Sequence, residues 1–128
     1  MIMALLLLDI AFYAVHILVT GFNLLGWIPK ATRRLHRWCV GITAFCWLGA
    51  GLYVGVIGYC PLTDWHWQVK YARGAENLPN SFITLLLNYA GIFPDPAHVD
   101  TTVGATFAGI VLLTLILWLR ERRTATRL

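Results

Sequence analysis

The 128 residues are 59% hydrophobic and 12% charged, where an ordinary soluble domain is roughly 45 to 50% apolar and about 25% charged. A chain this short buries only about two thirds of its surface when it folds in water, so a soluble fold is excluded and lipid is the expected solvent. The net charge of +4 does not mark a nucleic-acid partner, because the basic residues cluster beside apolar runs, as membrane anchors do.

Residues 2–28 are almost uninterruptedly apolar and exceed the roughly 20 residues that cross about 30 Å of hydrocarbon. They are expected to form a first transmembrane span. A cleaved signal peptide carries its positive charge ahead of the apolar run, whereas here Lys30, Arg33, Arg34 and Arg37 follow it and nothing basic precedes it. A second span is expected over about 35–59, uncharged after Arg37 and closed by Pro61. Gly51 and Gly55 within it form a GxxxG pair suited to close helix packing. A third span is expected over about 101–119, ending at Arg120, Glu121, Arg122 and Arg123, with Gly104/Ala108 and Ala105/Gly109 as small-residue steps.

Residues 60–100 are mixed in polarity and broken by Pro61, Gly74, Pro79, Gly91, Pro94 and Pro96. Leu62, Trp65, Val69 and Ala72 recur at helical spacing, with Asp64, Gln68, Lys70 and Arg73 on other faces. This predicts a short amphipathic helix ending at Gly74 and lying along the interface. A second short helix is predicted from Phe82 to Ala90, opened by an Asn80 or Ser81 cap and too short for a fourth crossing. The fold class is therefore all-α: a single transmembrane domain over 1–128, with three spans and one or two interfacial or re-entrant helices in 60–100.

Lys and Arg near a span are retained in the cytoplasm. The first loop holds four basic residues and the tail holds Arg120, Arg122, Arg123 and Arg127 against Glu121 alone, while segment 60–100 has Lys70 and Arg73 against Asp64, Glu76, Asp95 and Asp100. Charge and the parity of three spans agree on an extracytoplasmic amino terminus and a cytoplasmic carboxy terminus. Trp27, Trp38 and Trp118 fall at one boundary and Tyr59, Trp65 and Trp67 at the other, as an aromatic belt requires.

The candidate site is a stripe on the first span. Asp9, Tyr13, His16, Thr20 and Asn23 follow at intervals of four, three, four and three and share one helix face. An ionisable group costs a few kcal/mol inside a bilayer, so the stripe must face protein or water. It reads either as a proton path or polar pocket, with Asp9 and His16 titrating, or as hydrogen-bonding glue between helices.

Haem is not expected, because His36 and His98 lie at opposite boundaries, each roughly 15 to 20 Å in depth from His16. No cofactor or metal is predicted: Cys60, Asp64, His66, Asp95, His98 and Asp100 share one side but match no compact zinc pattern. Cys39 and Cys46, about 10 Å apart on one helix, are too distant for a disulfide. There is no P-loop, GxGxxG, GxSxG or HExxH.

The runs Gly58-Tyr-Cys-Pro-Leu-Thr-Asp-Trp-His-Trp67 and Asn77-Leu-Pro-Asn-Ser-Phe-Ile83, with Asp9 and His16 in the first helix and Leu35-His36 after a basic loop, resemble the small bacterial membrane proteins of domain of unknown function 2784. The likeness covers most of the chain and is most specific from Cys60 to Thr63. It implies a bacterial inner-membrane location and draws attention to Cys60, Thr63, Asp64, Trp65 and His66 as an outer-side candidate site, beside Pro61 and His36. It implies no activity.

The expected partners are the lipid bilayer and other membrane subunits or further copies of the chain. The function expected first is that of a non-enzymatic accessory or scaffold component. The alternative is a proton-path, lipophilic-ligand or redox-linked protein that uses the Asp9/His16 stripe beneath a lid made by residues 60–100.

Overall fold

The computed structural model describes residues 1–127, and they are all-helical, with no strand among them. Three helices are long and apolar enough to cross a membrane: α1 (Ile2–Leu25), α2 (Lys30–Val54) and α5 (Pro96–Thr126). Two short helices, α3 (Pro61–Ala72) and α4 (Phe82–Tyr89), lie between the second and third of these.

The connection from α1 to α2 is a tied turn. α1 stops at Gly26, whose N–H still donates to the Phe22 carbonyl. A side chain there would meet the His36 ring at 2.9 Å, so glycine is what lets α2 approach. Thr32 Oγ1 donates to the freed Gly26 carbonyl at 2.7 Å and Arg33 Nε to the Trp27 carbonyl at 2.8 Å.

α2 carries a π-helical turn over Phe45–Ala50 and ends at Gly55, in the left-handed conformation at φ +88°. The helix stops five residues short of Tyr59 because Gly55 and Gly58 both take positive φ and turn the chain back. Gly58 N–H then donates to the Trp47 carbonyl. The Gly51/Gly55 pair is accordingly not a helix–helix contact. Gly51 makes room for the returning Val56 carbonyl, which a Cβ would meet at 2.6 Å, and Gly55 is the cap.

α3 opens with Pro61 in its first turn, where a missing N–H costs nothing, and closes before Gly74 at φ +91°. α4 is capped by Ser81, whose Oγ accepts from Thr84 N–H, and is followed by Gly91 at φ +80°. α5 is capped by Asp95, whose carboxylate accepts from Ala97 N–H. With 31 residues it is about 46 Å long, longer than the roughly 30 Å of hydrocarbon.

Burial is inverted relative to a soluble bundle. In α1 the buried side chains are Asp9, His16 and Asn23, while Ile17, Leu18 and Leu25 are exposed. The apolar core is Trp67, Phe82 and Leu85, with Tyr13, Leu78, Ile83 and Leu86 packed around it. It therefore lies in the lid formed by α3 and α4 against α1, not between the three long helices. Polar groups inside and leucines outside is the arrangement lipid selects.

Candidate functional site

The Asp9 stripe faces protein along its length. Asp9 is 4% exposed and receives three cationic or potentially cationic side chains, two from α3 and one from Arg73, the residue that caps its end. His66 Nε2 lies 2.6 Å from Oδ1, Lys70 Nζ 3.3 Å from the same oxygen, and Arg73 Nη1 donates to Oδ2. His66, Lys70 and Arg73 are four and three residues apart, the same rhythm as the stripe, so one face of α3 lies along one face of α1.

The basic face of α3 is the one turned to α1, while Leu62 and Val69 are half-buried and Ala72 is exposed. Trp65 is exposed, and the buried residues are His66, Trp67 and Lys70. A buried carboxylate demands counter-charge more strongly than a tryptophan demands burial. The basic side chains turned inward are the only Lys and Arg between residues 38 and 119.

A carboxylate accepts hydrogen bonds and does not donate, so the hydrogen shared with Asp9 belongs to His66 Nε2. In the neutral ring Nδ1 is then a bare acceptor, and it has no partner. The ring is fully buried, stacked on Phe12 at 5.5 Å and met edge-on by Tyr13 at 4.6 Å and Trp67 at 5.5 Å. Burial holds the imidazole below the ordinary histidine value, against the pull of the Asp9 carboxylate and with the Lys70 charge adding to the depression. Lys70 moves the other way: burial disfavours its ammonium, but Tyr13 and Asp9 together raise it above the ordinary lysine value.

The next residues of the stripe meet α4 and the α2–α3 loop. Tyr13 hydroxyl donates to Tyr89 hydroxyl at 3.1 Å, and Lys70 Nζ stands 4.5 Å over the Tyr13 ring. His16 stacks on Phe82 at 3.9 Å, while Phe82 also reaches His66 at 6.1 Å. His16 Nε2 is 3.9 Å from Cys60 Sγ, and its Nδ1 is buried without a partner.

The far half of the stripe meets α2. Asn23 Nδ2 donates to Thr43 Oγ1 at 3.1 Å and to the Val19 carbonyl at 3.2 Å, and His36 Nε2 donates to the Asn23 carbonyl at 2.9 Å. Thr20 is half-buried between the two halves.

Of the outer-side candidates, Cys60 and His66 join the stripe. Thr63 is half-buried, and Asp64 and Trp65 are exposed. Neither Thr63 nor Asp64 caps α3: the cap position is Cys60, and Asp64 instead accepts from Tyr59 hydroxyl at 2.7 Å. His98 and Asp95 pair on the surface at 3.7 Å, and Asp100 accepts from Asn80. Among the described residues no three His, Cys, Asp or Glu side chains converge as a metal site.

Sequence reasoning missed Lys70, Arg73, Tyr89 and Phe82 as members of this site. The signal for the first two was present. A carboxylate at Asp9 needs a cation, and Lys70 and Arg73 share a helical face with His66.

The geometry thus defines an all-helical protein with three membrane-length helices and a buried ionic cluster closed by a helical lid. The chain belongs to the family described as Protein of Unknown function (DUF2784), whose model matches residues 6–120 and so takes in the whole cluster. No curated protein and no solved structure matches it.

Proposed function

We propose that this chain is a multi-pass protein of the bacterial inner membrane whose Asp9–His66–His16 cluster exchanges protons beneath an extracytoplasmic lid. The orientation rests on eight Lys and Arg at the end opposite the lid, in 30–37 and 120–127. The chemistry rests on one observation: His16 and His66 each keep a buried ring nitrogen with no partner. Asn23 Oδ1 is also buried without a partner, so an orphan, at a cost of about 1–3 kcal/mol, does not by itself separate a site from glue. The two imidazole nitrogens differ in being basic enough to take up a proton. Two basic orphans in one cluster, one of them on a ring bonded to the Asp9 carboxylate, mark a place able to take something up.

The smallest such species is a proton. At His66 Nδ1 it would produce an imidazolium held by Asp9 and stacked on the face of Phe12, which attracts a cation. Lys70 and Arg73 oppose it, so the site releases what it takes. Phe82 packs on His16 and reaches His66, so it shields both imidazoles.

Imidazole resonances of the full chain in nanodiscs, followed with pH beside the amide exchange of α3 and α4, test this. Both rings are expected to titrate in a lid that is weakened by acid but still closed, its amides exchanging more slowly than those of an opened lid, with His66 below the ordinary histidine value. Titration only where the lid amides lose protection would reduce the cluster to a structural clasp.

A second reading, an accessory subunit of a larger membrane assembly, is favoured by α5. Ala105 and Gly109, one turn apart, are both exposed, a Cβ at Gly109 would meet nothing within 4 Å, and Val99 is the single buried residue of this helix. A small-residue face of this kind suits a further helix. Recovery of the chain from native membranes as a strict monomer, with nothing crosslinked to α5, would remove this reading.

A further inference from the structure

The end of the bundle opposite the lid carries a separate feature. Between the turn that opens α2 and the last turns of α5 lies a cleft of about 460 Å3, lined by Lys30, Arg33, Leu117, Arg120, Glu121 and Thr124 among others. Glu121 is already engaged: Oε1 accepts from Arg33 Nη1 at 2.9 Å and Oε2 from Arg37 Nη1 at 3.1 Å. Arg33 is fixed further by its bond to the Trp27 carbonyl. Lys30 and Arg120 make no ion pair among the described residues.

The cleft is therefore positive in excess, and a bridge between two long helices holds it open. Its level along α5 is where the apolar run ends at Leu119 and Arg120 begins. A phospholipid places its phosphate at that boundary, below the aqueous phase and above its acyl chains. The amino-terminal end of α2 opens at the same cleft and contributes the positive end of its dipole. Guanidinium and ammonium donors beside an apolar Leu117 match a phosphate with acyl chains attached better than a phosphate alone.

We infer that this cleft binds the phosphate headgroup of an anionic phospholipid, with the acyl chains running along α5 past Leu117. The site shares no residue with the Asp9 cluster and stands if that reading fails.

The test uses the full chain in phosphatidylcholine vesicles doped with brominated phosphatidylglycerol or brominated phosphatidylcholine. Bromine quenches nearby tryptophan, and Trp27 and Trp118 lie at this end. The anionic lipid is expected to be preferred about fivefold, the fold-change equivalent to roughly 1 kcal/mol for a basic side chain at the surface. K30Q/R120Q loses that preference and K30R/R120K restores it, with helix content unchanged by circular dichroism.

R123Q/R127Q removes the same charge outside the cleft and is expected to keep the preference. Equal quenching by both lipids, or equal loss in R123Q/R127Q, overturns the site in favour of general surface charge. Inorganic phosphate is expected not to compete. Competition would make the occupant a soluble phosphate and overturn the lipid assignment.

Discussion

Asp9 and Asn23 stand about four turns apart on one face of α1, yet the two ends of this stripe are built to different rules. At Asn23 the partners are neutral and belong to the neighbouring long helix: Thr43 Oγ1 accepts and His36 donates. At Asp9 the partners are cationic and belong to a helix outside the long three, and one carboxylate faces Lys70, Arg73 and His66. The Asn23 end joins two helices with hydrogen bonds of the kind lipid-embedded bundles use. Both ends leave a buried polar atom bare, Asn23 Oδ1 at one and imidazole nitrogens at the other, but only the Asp9 end gathers more positive than negative charge, which joining helices does not require.

The largest expected effect is at the charged end. Asp9→Asn keeps the shape but strands Lys70, which is 6% exposed, and stranding a buried charge costs about 3–5 kcal/mol. Arg73, more exposed, swings to water. Amide exchange in α3 should accelerate correspondingly, with α2 and α5 unaffected. Adding Lys70→Gln to Asp9→Asn should recover part of the loss, because the stranded charge is gone. Unchanged exchange in Asp9→Asn would mean that apolar packing alone closes the lid.

Phe82→Ala addresses that packing and ranks second. Phe82 is 3% exposed and belongs to the apolar core with Trp67 and Leu85, so truncation should cost about 3 kcal/mol of lid closure. It also removes the ring that stands against both imidazoles. Acylation of His16 and His66 by diethyl pyrocarbonate should rise sharply, while His36, bonded to the Asn23 carbonyl, stays protected. Equal acceleration at all three histidines would show general loosening.

The long helices were legible because twenty-residue apolar runs leave no other solution, and the stripe was legible because five polar residues at helical spacing cannot all face lipid. What covers the stripe was not. Apolar periodicity puts Leu62, Trp65, Val69 and Ala72 on one face of a helix lying along the interface and does not say what its other faces meet. α3 buries His66, Trp67 and Lys70 because a carboxylate on another helix draws its basic face inward, a demand its own periodicity does not carry. The early end of α2 was hidden for a similar reason. Gly51 and Gly55 read alike as packing glycines, and their separate roles depend on a loop that folds back on them.

The lid should also loosen in acid. In the closed lid burial keeps His66 below its ordinary value, whereas an opened lid lets it protonate near pH 6.5. The open state therefore binds more protons, and closure, complete above about pH 6.5, weakens as pH falls through that value towards the lower closed-state value. Asp9, Tyr13 and His16 face this ring from α1, Lys70 comes from its own helix, and Arg73 from the cap that ends it. The expected change is at most roughly 1.4 kcal/mol per pH unit, read from amide exchange of α3. Closure insensitive to pH would mean that His66 keeps its ordinary affinity when buried.

The neutral end should respond least. Thr43→Val removes the hydroxyl that accepts from Asn23 Nδ2, but the same amide still donates to the Val19 carbonyl. Interhelical hydrogen bonds of this class contribute about 0.6 kcal/mol each on average in a membrane bundle. A shift of that size in unfolding by sodium dodecyl sulfate, with exchange in α3 untouched, is the expected outcome. A cost as large as that of Asp9→Asn would show the two ends to be one cooperative unit, and the contrast between glue and site would collapse. A small and local effect would leave the ionic half as the part of this stripe whose residues exceed what helix packing alone requires.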